Sequence, residues 1–254
     1  MEYLLRATAR AEARHFWFRG FRAFVTPLVR TALRGTRAPR ILDCGCGTGA
    51  NVELLGRFGR AYGFDLSEMG LRIARESGRM SIARATVTAA PFPGAAFDLV
   101  TSFDVLYSLD EHDEGTAVAE MFRVLKPGGF ALVNVAAMPM LTGDHSVLSR
   151  ERRRYTKSSL RAILERAGFQ IARLTYTNAT LFIPLAMVRA FHRWRGLAAE
   201  AEAGREIAVP VAPVNAALSA LVGLESLWLR AIDNPFGSSL LCLARKPDGA
   251  GGLR

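Results

Sequence analysis

From about Arg40 onward the chain alternates short apolar runs with amphipathic stretches, and that rhythm predicts its elements. Ile41–Cys44, Ala61–Asp65, Ile82–Val87, Phe97–Phe103 and Phe130–Val135 read as strands. Within the fourth, Phe97-Asp98-Leu99-Val100 has the near-continuous apolar character of a strand buried on both faces. Helices are predicted between them. One covers about Ala50–Arg57, a second runs from an N-cap at Ser67 to Ser77, and a third covers Thr116–Leu125. Lys126-Pro127-Gly128-Gly129 is a strong stop for the third. Phe169–Thr175 and Ser239–Ala244 bring the strands to seven. Strands alternating with helices at this length predict an α/β protein with a mostly parallel seven-stranded sheet and helices on both faces.

The two flanks of this pattern are different. Residues 2–34 read as helix, broken near Gly20 and Pro27, with Phe16, Phe18, Phe21, Phe24 and Leu28 among arginines. They predict an N-terminal helical cap over 1–39. The main domain is expected to span 40–247, with a helical insertion at about 178–232 before the last strand and a flexible tail at 248–254. Two uncharged stretches fall in or near the insertion, Leu174–Val188 and Ile207–Leu224. The second reaches the lower edge of membrane-spanning length, about 18 residues. Pro210, Pro213, Asn215 and Ser219 interrupt it and favour a hydrophobic helical cap or a surface-seeking hairpin.

Composition narrows the class. Half the residues are apolar and 22% are charged, which supports a folded core and excludes a mainly disordered chain. The net charge of +10 is uneven, with +7 in residues 1–40 and +6 in residues 150–173. Such blocks suit nucleic acid, an anionic membrane surface, an acidic substrate or simply solvated helix faces. Cys44, Cys46 and Cys242 cannot form a disulfide framework, and the first twenty residues hold no apolar run of signal-peptide length. A cytoplasmic protein is expected, with peripheral contact at a membrane left open. Cys44 and Cys46 have no third and fourth ligand nearby, so no metal is expected.

The chemistry concentrates in Ile41-Leu42-Asp43-Cys44-Gly45-Cys46-Gly47-Thr48-Gly49-Ala50-Asn51, a strand leading through three alternating glycines into a helix N-terminus. Glycines there let backbone amides approach a ligand and permit positive φ, and the helix start favours an anion. Asp65 closes the second strand, where a carboxylate can accept both hydroxyls of a ribose. Gly45-x-Gly47-x-x-Ala50 also satisfies the dinucleotide fingerprint. Asp43 argues against a dinucleotide, because an acid two positions before the first glycine suits an amino-acid ammonium and not a pyrophosphate. Carboxylate, ammonium and ribose together describe S-adenosylmethionine. A P-loop is excluded, since no Gly-Lys-Ser/Thr follows.

Residues 40–135 resemble the class I S-adenosylmethionine-dependent methyltransferases, of the type-11 small-molecule group. The likeness rests on Ile41–Asn51, Asp65, Ala90-Pro91-Phe92-Pro93 before Phe97-Asp98-Leu99-Val100, and Val124-Leu125-Lys126-Pro127-Gly128-Gly129. His15-Phe16-Trp17-Phe18-Arg19, Arg152-Arg153-Arg154-Tyr155-Thr156 and Pro235-Phe236-Gly237 resemble flanking pieces of a bacterial subgroup. The resemblance implies a Rossmann-like fold, S-adenosylmethionine as cofactor and a small-molecule acceptor. It implies cofactor contacts from Asp43, Gly45, Cys46, Gly47, Gly49 and Asn51 in the turn. Asp65, Leu66, Thr86, Val87 and Phe103 follow along the strand tips, and Arg19 is a candidate for the methionine carboxylate. Thr86 stands where relatives often carry an acid for the adenine, and Ser108 and Glu151 stand where the subgroup tends to have histidine.

Catalytic candidates are His145, in the loop after the fifth strand, and Tyr107, just past the fourth. His15, Trp17, Tyr107, His145, Arg154 and Tyr155 are the acceptor candidates, the arginine because guanidinium clamps anions. The apolar insertion, with Leu181, Phe182, Ile183, Leu185, Met187 and Phe191, points to an apolar or lipid-like acceptor. Two alternatives remain beside methyl transfer to a small molecule. One is an RNA methyltransferase using the basic blocks. It is disfavoured because Ser102-Phe103-Asp104-Val105 stands where an Asn/Asp-Pro-Pro-aromatic motif would hold a flipped base. The other binds the cofactor without transferring its methyl group. Oligomeric state is not legible.

Overall fold

The computed structural model describes residues 2–142, 146, 151–196 and 209–248. Two helices, α1 (Glu2–Ala11) and α2 (Phe16–Ala32), precede the sheet. The expected breaks at Gly20 and Pro27 do not occur, and both residues lie inside α2. The chain turns at residues 12–15 instead, where His15 caps α2 by accepting Trp17 N on Nδ1 at 3.1 Å. Gly20 has a packing reason: a Cβ there would stand 2.3 Å from Val222 Cγ1.

The strands are β1 (Arg40–Cys44), β2 (Arg60–Asp65), β3 (Ile82–Arg84), β4 (Phe97–Phe103), β5 (Leu125–Ala136), β6 (Gln170–Thr177) and β7 (Ser239–Arg245). They form one sheet in the order β3-β2-β1-β4-β5-β7-β6. β7 runs antiparallel to β5 and β6, and the remaining pairs are parallel. Between them lie α3 (Ala50–Leu55), α4 (Glu68–Glu76), α5 (Glu111–Val124), α6 (Lys157–Arg166), α7 (Phe182–Arg195) and α8 (Ala212–Trp228). The fold is thus the expected α/β, Rossmann-like arrangement.

Several bounds differ from expectation. α5 ends before Lys126-Pro127-Gly128-Gly129, but the chain joins the sheet at once, Leu125 pairing with Phe97. The strand absorbs the glycines through a register shift between Phe97 and Leu99. β3 shortens to Ile82–Arg84, and α3 stops at Leu55. The uncharged stretch Leu174–Val188 is divided between the end of β6 and the start of α7. Among the described residues no helix is long and apolar enough to cross a membrane. Residues 197–208 of the expected insertion and 249–254 of the expected tail lie outside the described residues.

Side chains alternate across the strands, so each strand feeds two cores. Ile41, Leu99, Leu132 and Leu241 meet Phe24, Val25 and Leu28 of α2 and Val222 of α8. Leu42, Val100, Val133 and Leu240 meet Val118 and Met121 of α5 and Leu160 and Leu164 of α6. Each such buried side chain contributes about 1.5–3 kcal/mol. α2 is therefore a sheet-covering helix. The insertion is tied down by Glu225, fully buried on α8. It accepts from Ala179 N at 2.9 Å, Thr180 N at 3.0 Å, Thr180 Oγ1 at 2.7 Å and Asn234 Nδ2 at 2.8 Å. Asn215 then bolts α8 to the N-terminal corner, accepting Phe16 N and donating to Arg14 O, both at 2.9 Å.

Candidate active site

β1 lies between β2 and β4, so the strand order reverses there and a crevice opens beyond the carboxyl ends of β1 and β4. The glycine turn fills its floor. Gly45, Gly47 and Gly49 have φ of +81°, +51° and +76°. A Cβ on Gly45 would come 2.4 Å from Val105 Cγ2, so glycine is required by space as well as by backbone. The amides of this turn are used within the protein, contrary to expectation. Gly45 N and Cys46 N both donate to Phe64 O, Gly47 N donates to Asp65 Oδ2, and Gly49 N donates to Cys46 O. A turn this tight closes on its own donors. α3 has only six residues, and its start adds little positive potential.

Asp65 is the hinge of the arrangement. Oδ2 accepts Gly47 N at 2.8 Å and Oδ1 accepts Ser67 N at 2.7 Å. One amide per oxygen leaves acceptor capacity on each. Asp43 lies buried at the end of β1, with Oδ1 accepting Thr101 Oγ1 at 2.6 Å. Its Oδ2 has no hydrogen-bond partner among the described residues. Burial pushes this carboxyl up to about 7, against the Thr101 hydrogen bond and with help from the Asp65 charge.

Above the turn is a cavity of about 1020 Å³. Gly45, Cys46, Gly47, Asn51, Asp65 and Leu66 border it, as do Thr86, Val87 and Phe103. Asp43 and Gly49 do not. Asp43 is sealed beneath the turn, and Gly49 packs against Arg79 and Ala74 as the left-handed N-cap of α3. The Thr86 hydroxyl is within hydrogen-bond distance of Thr88 Oγ1, at 2.8 Å. Arg19 is a correction: helical phase leaves it exposed on the outside of α2, while Phe18, Phe21 and Arg22 face the cavity. Arg22 Nη1 donates to Glu12 O at 2.9 Å. Glu12 itself latches the N-terminal corner to the turn, accepting Thr48 Oγ1 at 2.7 Å and Arg79 Nη1 at 3.0 Å.

The facing wall is built from α2, α7 and α8. Phe16, Trp17, Leu181, Leu185, Val188 and Leu218 supply its apolar part, with Arg189 and His192 of α7 as buried polar groups beside them, and Phe21 stacks edge-on against Phe103 at 5.0 Å. His15 borders the cavity while capping α2. Tyr107 is also in the wall. Arg154 borders the cavity but is held bidentately by Glu151, at 2.9 and 3.2 Å, so it is not an open anion clamp. Tyr155 is a second correction. It is buried in the core and its hydroxyl donates to Glu114, which also pairs with Arg153 Nη1 at 2.8 Å. Burial first, and then Glu114, raise its pKa well above the ordinary tyrosine value. His145 lies outside the described residues.

Asp104 was missed from the sequence. It follows β4 directly, at a left-handed φ of +60°, and borders the cavity. Asn134 on β5 holds it from two sides: Asp104 N donates to Asn134 O at 3.0 Å, and Asn134 Nδ2 donates to Asp104 Oδ1 at 2.9 Å. Although accessible from the cavity, the carboxyl stands in a concave protein wall, and desolvation pushes it up to about 7. The Glu151 charge adds to the rise, while Asn134 and Arg154 oppose it. An acid at the tip of a central strand was the available signal. Arg22, one helical turn from the arginine chosen, needed the true start of α2.

The described residues fit S-adenosylmethionine on three observations. Asp65 has acceptor capacity at the cavity edge, and Asp43 has an orphaned buried oxygen suited to a cation's field. A Cβ on Gly47 would project toward Leu5 of the cap, 3.7 Å away, and fill the cradle between them. The cysteines contribute no thiolate: burial raises Cys44 and Cys46, and pushes Cys242 up to about 12. No group of histidine, cysteine and acidic side chains able to hold a metal occurs among the described residues.

Comparison with known proteins gives the same direction. Residues 42–133 match the family described as a methyltransferase domain. The chain is similar to the ubiquinone/menaquinone biosynthesis C-methyltransferase UbiE of Yersinia enterocolitica, 30% identical over 184 residues, which covers 57% of this chain and 70% of that protein. It is similar in structure to the [4+2]-cyclase SpnF, with a TM-score of 0.56 and 25% identity over 89% of this chain and 81% of that one. The methyltransferase in a complex with the Haloferax volcanii Trm112 activator shares the fold, with a TM-score of 0.61 and 17% identity over 98% and 96%.

Proposed function

We infer the acceptor from one premise: this chain belongs to the class I S-adenosylmethionine-dependent methyltransferases, and S-adenosylmethionine is its cofactor. The acceptor is a small apolar or lipid-like metabolite. The observation that carries this reading is the cluster of apolar side chains from α2, α7 and α8 facing the glycine turn across one cavity. The relatives named for ubiquinone and menaquinone biosynthesis support it, and they make carbon the first atom to test as methyl acceptor.

In this reading residues 40–247 carry the cofactor, while 1–39 and the insertion at 178–232 close over the acceptor. Asp65 receives the ribose hydroxyls, with Leu66, Thr86 and Val87 along the adenine edge. Arg22 takes the carboxylate end in place of Arg19, and ionised Asp43 supplies the field for the ammonium. When bound, the cofactor supplies a methyl group already activated on a sulfonium. The protein's work is then alignment and exclusion of water, for which the aromatic wall of Phe16, Trp17 and Phe103 serves. Asp104 takes up the proton of an acidic acceptor. Asn134 holds its oxygen in place, and the raised pKa of the carboxyl suits it to act as a base. Tyr107 and His15 border the same space and orient the acceptor.

Ion pairs within the second basic block reduce what it offers to RNA. Arg153, Arg154, Arg161 and Arg173 are paired with Glu114, Glu151, Glu165 and Asp233. The reading is tested by incubating the protein with methyl-labelled S-adenosylmethionine and a quinone-containing bacterial lipid extract. Label in the organic phase, lost in Asp65→Ala, supports it. Label found only in water-soluble compounds or RNA overturns it.

A further inference from the structure

α7 is apolar on two sides, one bordering the cavity and the other facing away from it. Pro184, Leu185 and Val188 border the cavity. Ile183, Met187, Phe191 and Trp194 follow at helical spacing on the other side, 70, 70, 55 and 82% exposed. A surface helix of a globular protein normally turns charged and polar residues to that side. The 3-10 turn Pro139–Leu141 packs against α7 and extends the stripe with Met140, also well exposed. A contiguous apolar patch of this kind marks a contact surface.

Charge identifies what it meets. α1 borders the same cavity through Leu5 and Thr8, and it carries Arg6 and Arg10 exposed. Arg14, exposed in the following turn, continues the four-residue spacing and adjoins α8 through Asn215. The one acid between them, Glu12, is buried in its contacts with Thr48 and Arg79. The chain as a whole carries +10. A second copy would bring the same positive charge. Aliphatic Ile183 and Met187 offer no stacking platform to nucleic-acid bases.

We propose that the outer face of α7, with Met140, seats in the surface of an anionic lipid bilayer while Arg6, Arg10 and Arg14 meet its headgroups. Apolar side chains on such helices sink about 5–10 Å into the headgroup boundary, and aromatic residues anchor there. The helix lies in the surface and does not cross it, since none of the described helices is long and apolar enough. The inference goes beyond the reading of the cavity, because docking requires no particular acceptor. It explains why a wall of the cavity and a lipid-facing surface share one helix.

The test is co-sedimentation of the full chain with sucrose-loaded vesicles, either of equal parts phosphatidylglycerol and phosphatidylcholine or of phosphatidylcholine alone. The expected result is binding to the anionic vesicles that weakens with salt. Met187→Glu with Phe191→Glu should reduce the bound fraction at least about tenfold, and each arginine replaced by alanine about fivefold. Circular dichroism and calorimetry with S-adenosylhomocysteine establish that each variant is folded. Should the double variant fail that control, quenching of tryptophan fluorescence by brominated lipid decides the question, since Trp194→Phe should remove most of it. The proposal is overturned by three results: no sedimentation with anionic vesicles, binding that ignores these substitutions, or retention of RNA or dimerisation in its place. Intact cofactor binding without vesicle binding sinks this inference alone and leaves the methyltransferase reading standing.

Discussion

The two walls of the cavity are built by different means. The cofactor wall comes from one short stretch, β1 through the tip of β2, in which glycines at positive φ and one carboxylate, Asp65, set every position. The opposite wall, proposed for the acceptor, gathers side chains from α2 and from α7 and α8 far later in the chain, held together by Asn215 and Glu225. The first is a backbone device with little freedom to vary. The second is a side-chain surface on a scaffold, free to change its shape without touching the turn. A fold that separates the two in this way can change its acceptor while keeping its cofactor.

The sharpest way to break the comparison is to damage one wall and read the other. Asp104→Asn should lower kcat by about 10²–10³-fold while the affinity for S-adenosylhomocysteine stays unchanged, as measured by steady-state kinetics and calorimetry. Equal loss in both would place Asp104 on the cofactor wall. Asp65→Ala should cost about a hundredfold in cofactor affinity, because it strips acceptors from Gly47 N and Ser67 N as well as from the ligand.

Asp43 sharpens the comparison through pH. Its carboxyl sits at about 7, so it is protonated below that value and attracts a cationic ammonium only above it. Affinity for S-adenosylhomocysteine should fall about fivefold as pH drops from 7 to 6, and the Asp43→Asn variant should show a flat profile. The unliganded fold responds oppositely. A carboxyl whose folded pKa is raised stabilises the fold fully below its unfolded value, about 4, and that contribution is lost as pH rises through 7. The melting temperature of the unliganded protein should therefore decline between pH 5 and 8, and less so in Asp43→Asn.

Smaller effects concern the latch and the adenine edge. Glu12→Gln removes charge from the contacts to Thr48 and Arg79, and should weaken cofactor affinity about fivefold by loosening the N-terminal corner. Thr86→Ala should change it less than about threefold, since that hydroxyl is already engaged with Thr88. Both are read by calorimetry.

The contrast between the walls also explains what was legible in the sequence. β1, the glycine turn and β4 stand in the sequence as local patterns, because strand burial and positive φ leave a signature within a few residues. Seven strands and a mostly parallel sheet followed from the same periodicity. Arg19 was chosen over Arg22 because the phase of a helix depends on where it starts, and the turn at residues 12–15 carries no glycine or proline to mark it. Tyr155 looked like a ligand contact until Glu114, 41 residues earlier in the chain, claimed its hydroxyl. Asp104 was passed over because its left-handed conformation and its grip by Asn134 are tertiary facts. The uncharged stretch that opens α7 announced apolarity but not that two sides of one helix would carry it.

The most direct measurement is a crystal structure of the complex with S-adenosylhomocysteine. The account predicts ribose density at Asp65, the amino-acid end near Arg22, and the sulfur facing open space bounded by Asp104, Tyr107 and the apolar wall. Density lying across α7 and α8, with Asp65 still bonded only to Gly47 and Ser67, would contradict it.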